Sequence, residues 1–535
     1  MKLATAPAPE PASICWEKLR KIFESFAGDT RPAYHHPTGT ISFAELRDAV
    51  LKLLALEPQL HRTSEARPVL VWGHKDPRYL VAYWACLLSG RALVPIEPET
   101  PKARLQQIIE VCAPCAILFA DHQVDLLELL REQFGSDDLP VISISSPSSE
   151  DAAYSTADLP GCEMDDSDIA YIMFSSGTLG APKGIKVTYA NLIDFIGWLD
   201  ELLPDATSEK SVSGTIRYCF DVSLFEIWTS WSRKRPLVAL DHAEIWDSSR
   251  YIARLADKKA ELWVSTPSIV RLFLKNRRFC ENALSRLKTF VFCGEPLTKS
   301  IVEGLLDRFP GCRVINTYGP TECTVAVTSV EITEEHLKSS SDLPIGQVRA
   351  GTSLYCAPDT PFGEPGEIWI SGASVGAGYI GLPEKQARAF PKPDVYRSGD
   401  RGSCNADGVW SFLGRLDREI KIQGIRIDLN DVEAHLRRQD GVEDAVVEPY
   451  ILHGEPRALS AFVLGPHSDK CLERLATAMA TDLPIYLVPR YWFAGFESGL
   501  NLNSKLNRHQ LAGAQKTARL RHLRMPGYLY TKTFE

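Results

Sequence analysis

No apolar run in this 535-residue chain reaches the ~20 residues that would carry a helix across a bilayer, so no membrane span is expected. Residues Met1 to Ser13 are rich in Ala and Pro and hold no continuous apolar stretch, so they do not read as a secretory leader. A basic excess is lacking too. Lys and Arg number 59 against 68 Asp and Glu, a formal charge of -9. That balance argues against a general nucleic-acid binder, which would present a basic face to phosphates. The 13 cysteines are odd in number and scattered. Cys112 and Cys115 form a lone Cys-x-x-Cys with no second pair at zinc-ribbon spacing, and read as small buried hydrophobes. Free thiols in a reducing, cytoplasmic setting are the expectation.

What the chain does have is alternation. Ile14 to Ser25 reads as an amphipathic helix. Pro68 to Trp72, Ala92 to Ile96, Ala116 to Ala120 and Val141 to Ser145 read as buried strands, with Tyr79 to Leu88 and Pro101 to Cys112 as helices between them. Such alternation predicts an α/β fold with parallel sheets covered by helices. The polar, acidic stretch from Ser146 to Asp168 reads as a surface loop. A second alternating region runs from Ile169 to about Val330, followed by strands and turns to Phe412. Beyond Asp417 the pattern changes to a small mixed unit: a helix at Asn430 to Arg438, strands at Val442 to Pro449 and Ala458 to Val463, and a helix at Cys471 to Thr481. The boundary is therefore set at Asp417, giving a large N-terminal domain over 1–416 and a small α+β domain over 417–535. The basic tail after Gln510 (Lys516, Arg519, Arg521, Arg524) is expected to be a peripheral helix.

The strongest local signal is Tyr171 to Gly184, YIMFSSGTLGAPKG. An apolar strand runs into hydroxyls, glycines and one lysine. Glycines let backbone N–H groups approach anionic oxygens, hydroxyls add donors, and the lysine adds charge. The Gly-x-x-x-x-Gly-Lys-[Ser/Thr] spacing of a Walker A loop is absent. This segment resembles the phosphate-binding motif of the adenylate-forming superfamily, which holds acyl-CoA synthetases, luciferases and peptide-synthetase adenylation domains. The resemblance implies ATP contacts from Ser175, Ser176, Gly177, Thr178, Gly180 and Lys183. Leu179 stands where the family usually has a second threonine, which removes one hydroxyl.

Further motifs follow in the family's order. Gly90 to Pro98 and Gly366 to Gly372 are similar to structural motifs. Asn316 to Glu322 (NTYGPTE) resembles the adenine and magnesium motif. By that likeness Asn316, Thr317, Tyr318 and Gly319 border the nucleotide, with the Tyr318 ring on adenine. Thr321 then meets the α-phosphate and Glu322 holds Mg²⁺. An aromatic face suits a purine, and a hard carboxylate suits Mg²⁺ shared with phosphates. Tyr396 to Asp400 resembles the ribose motif, with Asp400 accepting from the hydroxyls and Arg415 near ribose and phosphate. Gly414 to Asp428 resembles the hinge motif, in which a mobile C-terminal lid rotates about Asp417 between two half-reactions. Gly424 would then border a tunnel for a pantetheine arm. Leu500 to Arg508 (LNLNSKLNR) places Lys505 where the family's adenylating lysine belongs, with Ser504 in place of a glycine.

Phe220 to Glu226 (FDVSLFE) resembles the pocket motif of amino-acid-activating members, where the aspartate, here Asp221, pairs with the α-ammonium of the substrate. A buried ammonium needs a counter-charge, whereas fatty and aryl acids carry no such cation. Residue-wise matching adds Val222, Phe225, Val264, Val291, Cys293, Thr317, Val325 and Ala326, a set that suits a short side chain. The stretch from Phe290 to Val327 looks most like D-alanine–carrier protein ligases. The function implied is activation of a small amino acid, D-alanine first, to its aminoacyl-AMP. Transfer to the phosphopantetheine thiol of a separate carrier protein would follow. No Gly-Gly-x-Ser attachment site follows Lys505, so the carrier is expected in trans. L-alanine, proline, serine or another small amino acid, an acyl-CoA ligase and a catalytically silent adenylate-binding protein stand as alternatives.

Overall fold

Val69, Leu70, Val71 and Trp72 are apolar at every position, which suits a strand covered on both faces. The computed structural model describes residues 13–37, 39–62, 66–147, 164–175, 182–204, 210–241, 244–245, 247–361, 363–452, 455–464, 469–494 and 521–522. In it Val69–Gly73 is a fully buried strand. The chain then turns at Asp76, whose carboxylate accepts from the Arg78 N–H, and Pro77 opens the helix Pro77–Leu88. Ser42 with Glu45 and Thr188 with Asn191 form reciprocal caps that start Phe43–Leu56 and Tyr189–Leu202.

Among the described residues, one sheet has seven strands. In spatial order they are Gly378–Tyr379, Lys183–Thr188, Ile169–Ser175, Leu93–Ile96, Val69–Gly73, Ala116–Ala120 and Val141–Ser143. A second has nine: Gln347–Val348, Thr328–Glu331, Arg313–Tyr318, Thr289–Phe292, Ala260–Ser265, Ser211–Gly214, Leu237–Ala239, Pro32–His36 and Gly39–Ser42. The middle of each sheet is parallel, as the alternation predicts. Their edges are not. Ile169–Ser175 pairs antiparallel with Lys183–Thr188, and Arg313–Tyr318 with Thr328–Glu331. These connections are too short for a helical crossover, so the chain can only fold straight back.

The helices Pro77–Leu88 and Ser223–Arg233 share one apolar cluster with strands of both sheets. Ring centroids of Trp84, Trp228 and Trp231 lie 4.8–5.6 Å apart, all three side chains buried. A third, antiparallel sheet of Thr352–Cys356, Gly366–Gly372, Val395–Cys404 and Trp410–Arg415 sets Asp400 opposite Arg415.

The smaller C-terminal region begins with the hairpin Glu419–Ile422 and Ile425–Asp428. It continues with the helices Leu429–Arg437 and Asp469–Asp482 and a sheet of Asp444–Leu452, Glu455–Leu464, Tyr491–Ala494 and Arg521–His522. It has its own apolar cluster, from Ile422 to Trp492. One expectation fails here. Arg521–His522, read from its basic spacing as helical, is a strand paired with Tyr491 and Trp492, because a sheet edge supplies backbone partners that charge spacing does not reveal. The rest of the basic tail, like most of the loop from Ser146 to Asp168, lies outside the described residues. Cys112 is buried and Cys115 half-buried; burial pushes the Cys112 thiol up to about 12. No helix of the described residues is long and apolar enough to cross a membrane.

Truncating Trp231 to Ala should empty the centre of this aromatic layer. The expected cost is about 3–5 kcal/mol, read as a lowered urea midpoint with an unchanged slope.

Candidate active site

The strand Arg313–Tyr318 delivers three polar side chains to the carboxyl edge of the large sheet. Asn316 donates to the Pro344 carbonyl at 2.8 Å, Thr317 to the Phe292 carbonyl at 2.8 Å, and the Tyr318 hydroxyl to Asp400 at 2.5 Å. The backbone must then turn sharply. A Cβ at Gly319 would lie 2.5 Å from the Ala326 Cα, so only glycine fits. A short 3₁₀ turn, Thr321–Cys323, follows, and Thr324 and Val325 take φ values of 54° and 70°. Two β-branched residues in the left-handed region store strain, which such sites hold only when their surroundings fix it.

That turn buries Glu322 completely. Lys183, at the start of the returning strand of the smaller sheet, lies 2.8 Å from it, and the Tyr379 hydroxyl donates to it at 2.9 Å. Arg426 of the C-terminal hairpin approaches both carboxylate oxygens at 3.1 and 3.2 Å. Burial by itself would raise the Glu322 carboxyl, but Lys183 and Arg426 outweigh it and hold the group ionised, well below the usual carboxylate range. Burial and then the Arg426 cation push the Lys183 ammonium down.

Asp400 stands on the third sheet, joined to this turn through Tyr318. Besides the Tyr318 hydroxyl it takes Arg415 Nη1 at 2.7 Å. Arg415 also reaches Glu419 at 2.6 Å and Asp417 through Nε at 2.8 Å. Asp417, half-exposed, caps this junction by accepting the Glu419 N–H at 3.1 Å.

A second buried carboxylate, Asp221, precedes the helix Ser223–Arg233. Its Oδ2 has no hydrogen-bond partner among the described residues. Burial pushes the group up to about 6, against the Thr321 hydroxyl and the Lys421 cation, which pull it down. Val222, Phe225, Val264, Val291, Cys293, Val325 and Ala326 all belong to one buried cluster. Val264 and Val291 are register partners on neighbouring parallel strands, and the Cys293 thiol lies 3.8 Å from the Val325 carbonyl. Phe225 packs edge-on against Phe195, filling the back of this region. The group sits beyond the carboxyl ends of parallel strands, where open α/β sheets place ligands.

The C-terminal hairpin closes the front. Gly424, at φ +80°, donates its N–H to Glu295 at 2.7 Å, and a Cβ there would lie 2.6 Å from Thr266 Cγ2. Glu295 in turn accepts from the Ser268 N–H and hydroxyl. Arg271 and Glu455 form a further ion pair between the two regions.

Of the residues expected from sequence, Lys183, Tyr318, Thr321, Glu322, Asp400, Arg415, Asp417 and Gly424 converge with the Asp221 cluster. Ser176, Gly177, Thr178, Gly180 and Lys505 lie outside the described residues, as does the Ser175 side chain. Sequence reasoning missed Arg426 and Glu419, although both stand inside the hinge motif, and Glu295, which lies within the stretch from Phe290 to Val327. Tyr379 and Thr266 gave no signal at all.

A family model described as AMP-binding enzyme matches residues 25–380. A D-alanine–D-alanyl carrier protein ligase of Bacillus anthracis is 33% identical over 515 residues, covering 92% of this chain and 99% of that protein. One from Bacillus cereus is 33% identical over 516 residues with the same coverage. The chain belongs to the AMP-binding enzyme family. It is an AMP-forming ligase. Two solved structures share the fold. The Vibrio cholerae adenylation domain AlmE, in complex with glycyl-adenosine-5′-phosphate, has a TM-score of 0.77 at 23% identity, over 96% of this chain and 100% of that one. The amide bond synthetase McbA from Marinactinospora thermotolerans has a TM-score of 0.78 at 19% identity, over 92% and 98%.

Members of the family use ATP, and its Mg²⁺ would need an ionised oxygen ligand here. Among the described residues no group of three His, Cys, Asp or Glu could form an all-protein metal cage. Glu322 alone fits a different arrangement, in which one carboxylate and the nucleotide's phosphates share the ion. It is ionised and lies beside Lys183, but in this state Arg426 stands on both of its oxygens.

Replacing Glu322 by Gln leaves Lys183 and Arg426 facing each other across a buried site. Undocking of the hairpin is the expected result, at a cost of about 3–5 kcal/mol, seen as lost amide protection over residues 419–428 with the sheets still protected.

Proposed function

We infer that this ligase activates a small amino acid, D-alanine first among the candidates, as its aminoacyl-AMP. The activated acyl group then passes to the phosphopantetheine thiol of a separate carrier protein. The observation that carries the reading is Asp221: a buried carboxylate with one oxygen unpartnered among the described residues, next in the chain to Val222 of the main apolar cluster. Such an oxygen calls for a cation, and the α-ammonium of an amino acid supplies one while its carboxylate points toward the nucleotide. Val222, Val264, Val291, Cys293, Val325 and Ala326 are small or medium side chains, a set that suits a short substrate side chain and offers it no polar group stronger than a thiol. The names of the relatives from Bacillus agree with this class of substrate and acceptor.

A carboxylate does not acylate a thiol unaided, so the first half-reaction is in-line attack of the substrate carboxylate on the α-phosphorus of ATP, with pyrophosphate leaving. Negative charge collects there. We assign its stabilisation to the loop 175–183 and to Lys505, with Asp400 and Arg415 holding the ribose and Tyr318 the adenine. Mg²⁺ on Glu322, when bound, neutralises phosphate charge. In the second half-reaction a thiolate attacks the acyl carbon and AMP leaves. The seating of Gly424 against Thr266 and Glu295 supports the second step, because it brings the hairpin of the hinge motif, at a position that only a residue without a side chain fits, close beside Val222 and Gly294. We place the hinge at Asp417, with 1–416 and 417–535 as the moving parts.

Pyrophosphate exchange tested across D- and L-amino acids should peak at D-alanine, and a flat response to every amino acid would refute the activity. Asp221→Asn should lower kcat/KM for the amino acid by about 10²–10³-fold. Because Asp221 ionises at about 6, the sign with pH is fixed. Above that value the carboxylate attracts the ammonium; below it the neutral acid does not. KM for the amino acid should therefore rise as pH falls from 7.5 to 5.5, a rise the Asn variant would not show. Gly424→Val should retain exchange yet lose transfer to the thiol.

A further inference from the structure

Six charged side chains form one continuous run through the centre of the molecule. Lys183 meets Glu322, Glu322 meets Arg426, Arg426 meets Glu419, Glu419 meets Arg415, and Arg415 meets Asp400. The link that matters is the one between Glu322, on the large sheet, and Arg426, on the hairpin. One guanidinium nitrogen spans both carboxylate oxygens at 3.1 and 3.2 Å, while Lys183 at 2.8 Å and the Tyr379 hydroxyl at 2.9 Å take what remains of Oε1. A divalent ion on those oxygens would sit within contact distance of the Arg426 guanidinium, which occupies both of them here. Arg426 and the metal cannot both hold Glu322.

We propose that Arg426 is a positioning residue for the thiol-transfer step: it replaces Mg²⁺ on Glu322 once the metal leaves with pyrophosphate, and by doing so seats the hairpin. This rests on the adenylation reading above. With Mg²⁺ held there, the buried Glu322 carboxylate would already have its counter-charge and Arg426 would be kept off it. Once the metal has gone, an ionised group with no solvent access is left with Lys183 alone, and the arriving guanidinium restores the balance. Glu419 holds the Arg426 Nε, so the planar fork arrives already oriented. Its arrival brings Gly424, two residues earlier, against Thr266 and onto Glu295. The order of the two half-reactions is thereby written into one carboxylate: the hairpin docks only after the metal has left.

The test is amide exchange over residues 419–428 of the full chain, with AMP and then with Mg²⁺ and α,β-methylene-ATP, which cannot release pyrophosphate. Wild type should keep the hairpin protected with AMP and lose about tenfold protection with the magnesium analogue. Arg426→Gln should show low protection in both states, with Thr289–Phe292 still protected as a check on the fold. Its transfer of D-alanine from preformed adenylate to pantetheine should fall about tenfold further than its pyrophosphate exchange. Arg426→Lys, which keeps the charge and loses the fork, should recover part of that difference. Equal hairpin protection in the two wild-type states overturns the proposal, and so do equal losses of transfer and exchange in the Gln variant. If wild type exchanges pyrophosphate with no amino acid, the adenylation reading fails, while the amide-exchange arm, which needs only nucleotide and Mg²⁺, still decides the role of Arg426.

Discussion

A carboxylate with no access to water must be given its counter-charges by the fold, and Glu322 is that carboxylate here. The tight turn that buries it needs Gly319 to clear the Ala326 backbone and puts Thr324 and Val325 at positive φ. The strand pair ending at Lys183 supplies one cation and the hairpin carrying Arg426 supplies another. Neither partner is near Glu322 in the chain. The two regions of the protein therefore meet on an electrostatic requirement as much as on apolar contact, and the meeting is conditional, because a buried charge accepts whichever cation is present.

Asp221 is held on opposite terms. It too is buried, but one of its oxygens lacks a partner, and burial raises its pKa where the cations around Glu322 lower that group's. Two buried carboxylates thus differ by their surroundings: one is satisfied within the protein, the other keeps an oxygen with no hydrogen-bond partner among the described residues. Holding Asp221 unpaired costs stability, and the helix Ser223–Arg233 that follows it carries Trp228 and Trp231, which pack with Trp84 in a layer where such a fold recovers it.

The hairpin contact explains why a glycine and an arginine stand two residues apart. Gly424 occupies a gap closed to any Cβ by Thr266, and Arg426 fixes the depth to which the hairpin enters. Arg271 with Glu455 adds a second ion pair across the same boundary, at the far hairpin of the smaller region. The cluster from Ile422 to Trp492 is distinct from those of the large sheets, with half-buried Phe220 packed against both it and the main one.

Much was legible in the chain because its causes are local. Caps at Ser42, Asp76 and Thr188, apolar runs such as Val69–Gly73, and the spacing within Asn316 to Glu322 or Gly414 to Asp428 depend on residues within a few positions of one another. The expectation that Asp221 meets an ammonium came from the resemblance of Phe220 to Glu226 to the family's pocket motif, not from position or charge by themselves. Tertiary structure decided the rest: that Tyr379 bonds Glu322, that Glu295 and Thr266 frame Gly424, that Arg426 faces Glu322, and that Arg521–His522 is a strand. These contacts join residues far apart in the chain, and a side chain's distant partner leaves no mark in local propensity or periodicity. Only folding, which puts the ends of separate strands side by side, determines which charges meet.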